Sequence, residues 1–266
     1  MSFKHIVSRD NPIFKYQKKL AGSARERRTE GKTLLDGVHL IEAYLEAFGD
    51  PELIIIPEGK SSLEATQLMQ HLGHVSTIML PTLMFAELTP VASSTGILAI
   101  VTIPKIGPNI TPPANVKFAL MLEDIQDPGN LGSMLRTALG AGVEAVYLSK
   151  GCTDAWSPKA LRGGQGAQFY LPIIEGVDMV SAMQNFAGKT YATAMAGESL
   201  YAQDFTQPSA FIIGNEGAGL SNSTIQAASH QISIPMNKKL ESLNAAAAAA
   251  VCLFERARQV FEMKGL

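Results

Sequence analysis

Three short blocks hold the residue types best suited to chemistry. The first is DPGNLGSMLRTA (127–138), within the stretch EDIQDPGNLGSMLRTALGAG (123–142) that follows the strand-like run FALML. Asp127, Pro128 and Gly129 fit a tight turn, and Asn130 fits a helix N-cap, where a short side chain accepts a bond from an amide two or three residues on. The turn lacks G-x-G-x-x-G and G-x-x-x-x-G-K-[ST]. It is followed by Arg136 among Met134, Leu135, Ala138 and Leu139. A guanidinium in such company must find an anion or reach water. The second block is FIIGNEGAGLS (211–221), an apolar strand ending in glycines spread around Asn215 and Glu216. Glycines there let a ligand approach the backbone, and the carboxylate is either solvated or functional. The third runs from SIPM (233–236) to ESLNAAAAAA (241–250). Ser242 or Asn244 can cap the last helix, and the alanine face allows close packing of protein or of a flat ligand.

The elements that must position these blocks read as two alternating runs. From residue 33, strand-like TLLDG, PELIIIPEG, STIMLP and TGILAIVTIP alternate with helical segments, a β-α-β-α-β order that predicts a mostly parallel sheet. PKIGPNITPPANVK (104–117) has four prolines and no periodicity, and predicts a linker at 106–115. It separates a domain at 1–105 from one at 116–266. In the second, VKFALMLED, AVYLSK, QFYLPII, KTYATAM, AFIIGNE and HQISIPM read as strands. Helices are expected near 130–141, 157–164, 177–187, 220–228 and 242–263. The first block then lies at the carboxyl end of a strand, where α/β sheets place ligands.

Composition narrows the class. The chain has 266 residues, 46% hydrophobic and 17% charged, which fits a folded globular protein rather than a disordered one. Its start has no apolar core of a signal peptide, and its longest apolar run, 245–254, is too short to span a bilayer. Two cysteines make no disulfide scaffold. Cytoplasm is the expected compartment. Net charge is −2, but residues 1–32 hold nine Lys/Arg against three acids, so a basic segment sits on an acidic body. It is an anion-binding surface or a solvated helix face. His71 and His74 have no third ligand, so no metal is expected. Trp156 and Tyr170 suit core packing as well as base stacking, and Asp154 and Lys159 read as loop charges without a role.

Together and in this order, the three blocks resemble the motifs of the SpoU (TrmH-like) branch of the SPOUT superfamily of RNA methyltransferases. Asn130, Gly132 and Arg136 match the first motif, and Gly214, Glu216, Gly217 and Gly219 the second. Pro235, Ser242, Leu243 and Asn244 match the third. The resemblance covers roughly 116–263. SRDNP (8–12) and LLDGVHLIEA (34–43) look like the ribosomal-protein-like substrate-binding domain often fused to it. Asp36 stands where that domain commonly has Glu, and the family often has a serine near Gly164.

The resemblance implies an α/β fold: a C-terminal mostly parallel sheet with a SPOUT trefoil knot, plus a smaller N-terminal α/β RNA-binding domain. It implies methyl transfer from S-adenosylmethionine to a ribose 2′-hydroxyl of structured RNA, ribosomal RNA foremost, by a homodimer with no metal and no membrane. A transfer-RNA 2′-O-methyltransferase and a catalytically inactive RNA-binding protein of the same fold stay open. The implied catalytic set is Asn130, Arg136, Glu216, Ser242 and Asn244. Ala194, Gly214, Asn215, Ile234, Met236 and Leu243 are the implied cofactor residues. RNA contacts fall to Arg9, Lys18, Lys19, Arg25, Arg27, Arg28 and Arg162, with Lys15 beside them. The family's proposed base is the arginine matching Arg136. A guanidinium, which stays protonated, suits a phosphate clamp better than a base. Glu216 could orient Arg136, or Asn130 could orient Glu216.

Overall fold

A computed structural model describes residues 3–59, 61–89, 95–104, 115–237, 239 and 242–264. Most of the expected linker, 106–114, lies outside the described residues. The chain divides into two compact units, Met1–Lys105 with Asp154–Phe169, and Ile106–Thr153 with Tyr170–Leu266.

The first unit runs β1 (Lys4–His5), α1 (Pro12–Gly22), α2 (Ala24–Glu30), β2 (Lys32–Asp36), α3 (Val38–Phe48), β3 (Leu53–Pro57), α4 (Leu63–His71), β4 (Thr77–Leu80), α5 (Thr82–Ala86) and β5 (Leu98–Thr102). Local chemistry sets the helix starts. The Asn11 side chain accepts from Ile13 N ahead of Pro12, and Ser23 accepts from Glu26 N. The sheet order is β1-β4-β3-β5-β2. It is mixed rather than mostly parallel, because β5 runs antiparallel to both β2 and β3. The alternation of elements was right, but it does not specify strand direction.

The second unit contains β6 (Phe118–Leu122), α6 (Pro128–Gly140) and β7 (Ala145–Ser149); α7 (Pro158–Gly164), which follows, falls in the first unit. The second unit resumes with β8 (Ile173–Val177), α8 (Met179–Gln184), β9 (Lys189–Ser199), β10 (Ser209–Ile213), α9 (Asn222–Ala227), β11 (His230–Ser233) and α10 (Ala245–Lys264). The strand expected across QFYLPII begins only at Ile173, and Ala167–Phe169 forms a 3₁₀ turn instead. The order is β11-β9-β10-β6-β7-β8, with every pairing parallel. β6 and β10 are buried along their whole length, which is why FALML and AFII are continuous apolar runs rather than alternating ones. α6 turns Leu131, Met134, Leu135 and Ala138 inward at helical spacing, and α10 packs on α6 and β10.

Because β6 is followed by β7 on one side, while β10 and β9 lie on the other, the chain changes direction across the sheet at β6. The carboxyl ends of β6 and β10 flank that crevice, the place where open α/β sheets bind ligands.

Candidate active site

The start of α6 differs from expectation in an instructive way. Asp127, not Asn130, is the N-cap: its Oδ1 accepts from Asn130 N at 2.8 Å, with Pro128 at the first helical position. The Asn130 amide is therefore free to leave the helix. Its Nδ2 donates to Glu216 Oε1 at 3.0 Å, and its Oδ1 accepts from Asn244 Nδ2 at 3.1 Å. Asn244 does cap α10, with its Oδ1 accepting from Ala246 N and Ala247 N. One amide thus joins the segments after β6, β10 and β11.

Glu216 collects two more donors, Gln126 N at 3.2 Å and Asp127 N at 3.3 Å. Partial burial pushes its carboxyl up. The bond from Asn130 and the backbone amides at Gln126 and Asp127 outweigh this and hold it below the usual carboxylate range. The carboxylate is ionised at neutral pH and still has an open lone pair, since Oε2 receives a single donor here and the side chain is exposed. Of the two arrangements the sequence left open, Asn130 orients Glu216.

Arg136 stands apart from this network. It is exposed, and among the described residues no hydrogen bond or ion pair engages its guanidinium. Six residues at 1.5 Å each place it about 9 Å along the helix axis from Asn130. It resolves its apolar surroundings by reaching water. Ser242 is exposed and Leu243 half-buried just ahead of α10.

The expected cofactor residues sit at adjoining strand ends. β9 pairs with both β10 and β11, and Ser233 Oγ donates to Gly197 O at 2.9 Å. Ala194 and Ile234 are half-buried and Met236 exposed, as is Met195, which is 79% exposed. Gly214 has a backbone reason for its identity: a Cβ there would lie 2.4 Å from Gly219 C and 2.5 Å from Leu220 N. Both polar atoms of the Asn215 side chain are engaged within the protein. Its Oδ1 accepts from Gly217 N and Ala218 N, and its Nδ2 donates to Asp124 O. The partly exposed apolar side chains at these ends suit a flat, mostly apolar adenine, so the residues present fit S-adenosylmethionine.

The basic residues divide sharply. Lys19 and Arg25 are exposed, and among the described residues no ion pair engages their side chains; Arg28 is exposed as well. Arg9 and Lys18 both bind Glu87, at 2.6 and 2.5 Å, and Lys15 binds Asp10. Arg162 lies 3.7 Å from the buried Asp36, whose carboxyl also accepts from Thr89 Oγ1. Arg27 does not belong with the RNA contacts. It is 4% exposed, and its guanidinium is bound to Asp154, Leu20 O and Ala21 O. Asp154, expected to be an idle loop charge, is its buried partner. Trp156 is buried too, and its carbonyl accepts from Thr33 Oγ1. Gln126 was missed altogether; only its place just ahead of the Asp127–Gly129 turn could have pointed to it. Among the described residues no group of three or more His, Cys, Asp or Glu could hold a metal ion, and no helix is long and apolar enough to cross a membrane.

Residues 117–254 match the SpoU rRNA Methylase family. The chain belongs to that family. Over 96% of its length it is 33% identical to an uncharacterized tRNA/rRNA methyltransferase of Synechocystis sp., covering 93% of that protein. It is 31% identical to the 23S rRNA (guanosine(2553)-2′-O)-methyltransferase RlmP of Bacillus subtilis, over 94% of this chain and 98% of that one. The SpoU methyltransferase AviRb of Streptomyces viridochromogenes, solved with AdoMet, superposes with a TM-score of 0.79 at 27% identity, covering 95% of this chain and 100% of AviRb.

Proposed function

We propose that this SpoU-family chain transfers a methyl group from S-adenosylmethionine to a ribose 2′-hydroxyl of structured RNA, with ribosomal RNA as its substrate. The observation that carries the reading is the convergence of Asn130, Glu216 and Asn244, one from each motif, at the crevice beside β6. Relatives named as ribosomal RNA 2′-O-methyltransferases, and a superposable AdoMet-bound SpoU structure, support the substrate and the cofactor.

The cofactor, held by the ends of β9, β10 and β11 and by Leu243, supplies an electrophilic methyl on a sulfonium. The chain's own residues supply position, which carries much of the rate gain for an in-line transfer. Glu216 accepts a hydrogen bond from the ribose hydroxyl on its open lone pair and fixes the direction of the oxygen. Its lowered pKa makes it an orienting acceptor rather than a strong base. Ser242 hydrogen-bonds the same ribose. Arg136 clamps an adjacent phosphate and stabilises the developing alkoxide. Lys19, Arg25 and Arg28 add sequence-independent phosphate affinity.

The proposal extends to a homodimer. Leu139 and Phe254, 38% and 51% exposed, lie on α6 and α10 near Gly140, beside Arg136, whose guanidinium no described residue engages. A second copy covering that face would bring Arg136 to a site. The family's trefoil knot in the C-terminal segment and a cytoplasmic location are part of the same reading.

The test is incubation with methyl-labelled cofactor and separate ribosomal and transfer RNA fractions, followed by mapping of 2′-O-methyl positions. Label in ribosomal RNA riboses is expected. Label confined to transfer RNA would transfer the assignment there, and no ribose label in either would leave an RNA-binding protein.

A further inference from the structure

Asp124 is one of two residues other than glycine with positive φ among the described residues, at +55°. The left-handed region is disfavoured for side-chain-bearing residues, though Asp tolerates it better than most. It persists where surrounding bonds over-determine it. Those bonds come from three loops. Ser149 Oγ, at the end of β7, accepts from Asp124 N and donates to its Oδ1. Asn215 Nδ2, after β10, donates to Asp124 O at 2.8 Å. Gln126 Nε2 donates to the same carbonyl at 3.1 Å and to Gly151 O at 2.7 Å. Gly151 is fixed by this arrangement, since a Cβ there would lie 2.0 Å from Asp124 Oδ1.

The left-handed residue turns the chain out of β6, so that two amides downstream, Gln126 N and Asp127 N, point at Glu216. We infer that Gln126 and Asn215 are positioning residues: together they clamp the Asp124 carbonyl, hold the 124–127 turn in its left-handed form and so aim two backbone amides at the Glu216 carboxylate. Asn215 acts through the turn rather than by a side-chain contact with cofactor. Its other amide atom is occupied by Gly217 N and Ala218 N. The clamp rests on the methyltransferase reading only for its consequence: Glu216 is aimed before substrate arrives. The hydrogen-bond geometry stands independently of that reading.

Gln126→Met keeps the length of the side chain and removes its donors. The expected result is kcat for methyl transfer down at least tenfold, with S-adenosylmethionine Kd changed less than twofold. Asn tolerates left-handed backbone better and still accepts from Ser149, so adding Asp124→Asn should recover part of the lost kcat. Wild-type kcat in Gln126→Met, or equal losses in kcat and cofactor affinity, would overturn the clamp. Amide hydrogen exchange at Gln126 and Asp127 gives a readout that needs no activity. It should quicken at least tenfold in the variant, and unchanged protection would also overturn the proposal. A wild-type chain that transfers no methyl while exchange responds as expected would sink the reaction and leave the clamp standing.

Discussion

Asn130→Asp replaces the donor on Glu216 with a second carboxylate and keeps the acceptor that Asn244 uses. In the wild type, Asn130 Nδ2 lies 3.0 Å from Glu216 Oε1. Two unit charges at that separation repel by about 1.4 kcal/mol in water and about 5.5 kcal/mol at an effective dielectric of 20. Glu216 is exposed, so the water limit governs; with the lost hydrogen bond adding about 0.5–1 kcal/mol, the penalty is about 2 kcal/mol. The repulsion raises the pair's upper apparent pKa. The sign against pH is fixed by linkage. Wild-type Glu216 lies below its ordinary 4.5 when folded, so its stabilisation is present above that value and lost as pH falls. The variant pair is raised, so its penalty is full at pH 8 and shrinks as pH drops and a shared proton relieves the repulsion. Thermal melts of both proteins from pH 8 to pH 4 should show a Tm gap of about 4–8 °C at pH 8 that narrows toward acid. A gap constant across that range would mean the two side chains do not face each other as described.

Arg27→Ala leaves Asp154 buried without its cation and should cost about 3–5 kcal/mol in denaturant unfolding, while replacing both partners by apolar residues should cost much less. Gly164→Ser places a Cβ 2.3 Å from Gln168 Oε1 in a buried pocket. It should destabilise by about 1–3 kcal/mol by the same measurement, and adding Gln168→Ala should return part of that loss. Arg136→Ala should leave S-adenosylmethionine affinity by calorimetry nearly intact while abolishing methyl transfer, and parallel loss of cofactor binding would contradict its placement on RNA.

The sequence carried the site's residue types and its strand-end location, because FALML, AFII and the turns after them are local signals. The helix start was legible but misread. Asp127 followed by Pro128 is a stronger N-cap signal than Asn130, and choosing it would have freed Asn130 for Glu216. The direction of β5 was not legible, because alternating elements do not fix how a strand enters a mixed sheet. Nor was the fate of Arg27. It sits in a basic run whose members look alike, and what separates it is a carboxylate 127 positions away. The left-handed turn at Asp124 left no mark either, since aspartate is common at exposed turns without being forced into that conformation.

The inclusion of Asp154–Phe169 in the first unit bears on the order in which the chain can mature during synthesis. Arg27 and Thr33 must wait for Asp154 and Trp156 to emerge from the ribosome. Until then the amino-terminal portion holds a cation without its counter-charge and a hydroxyl without its acceptor. A fragment ending at residue 105 would keep that defect permanently, so the two halves of this protein cannot be separated by a cut at the proline-rich stretch without breaking one of them.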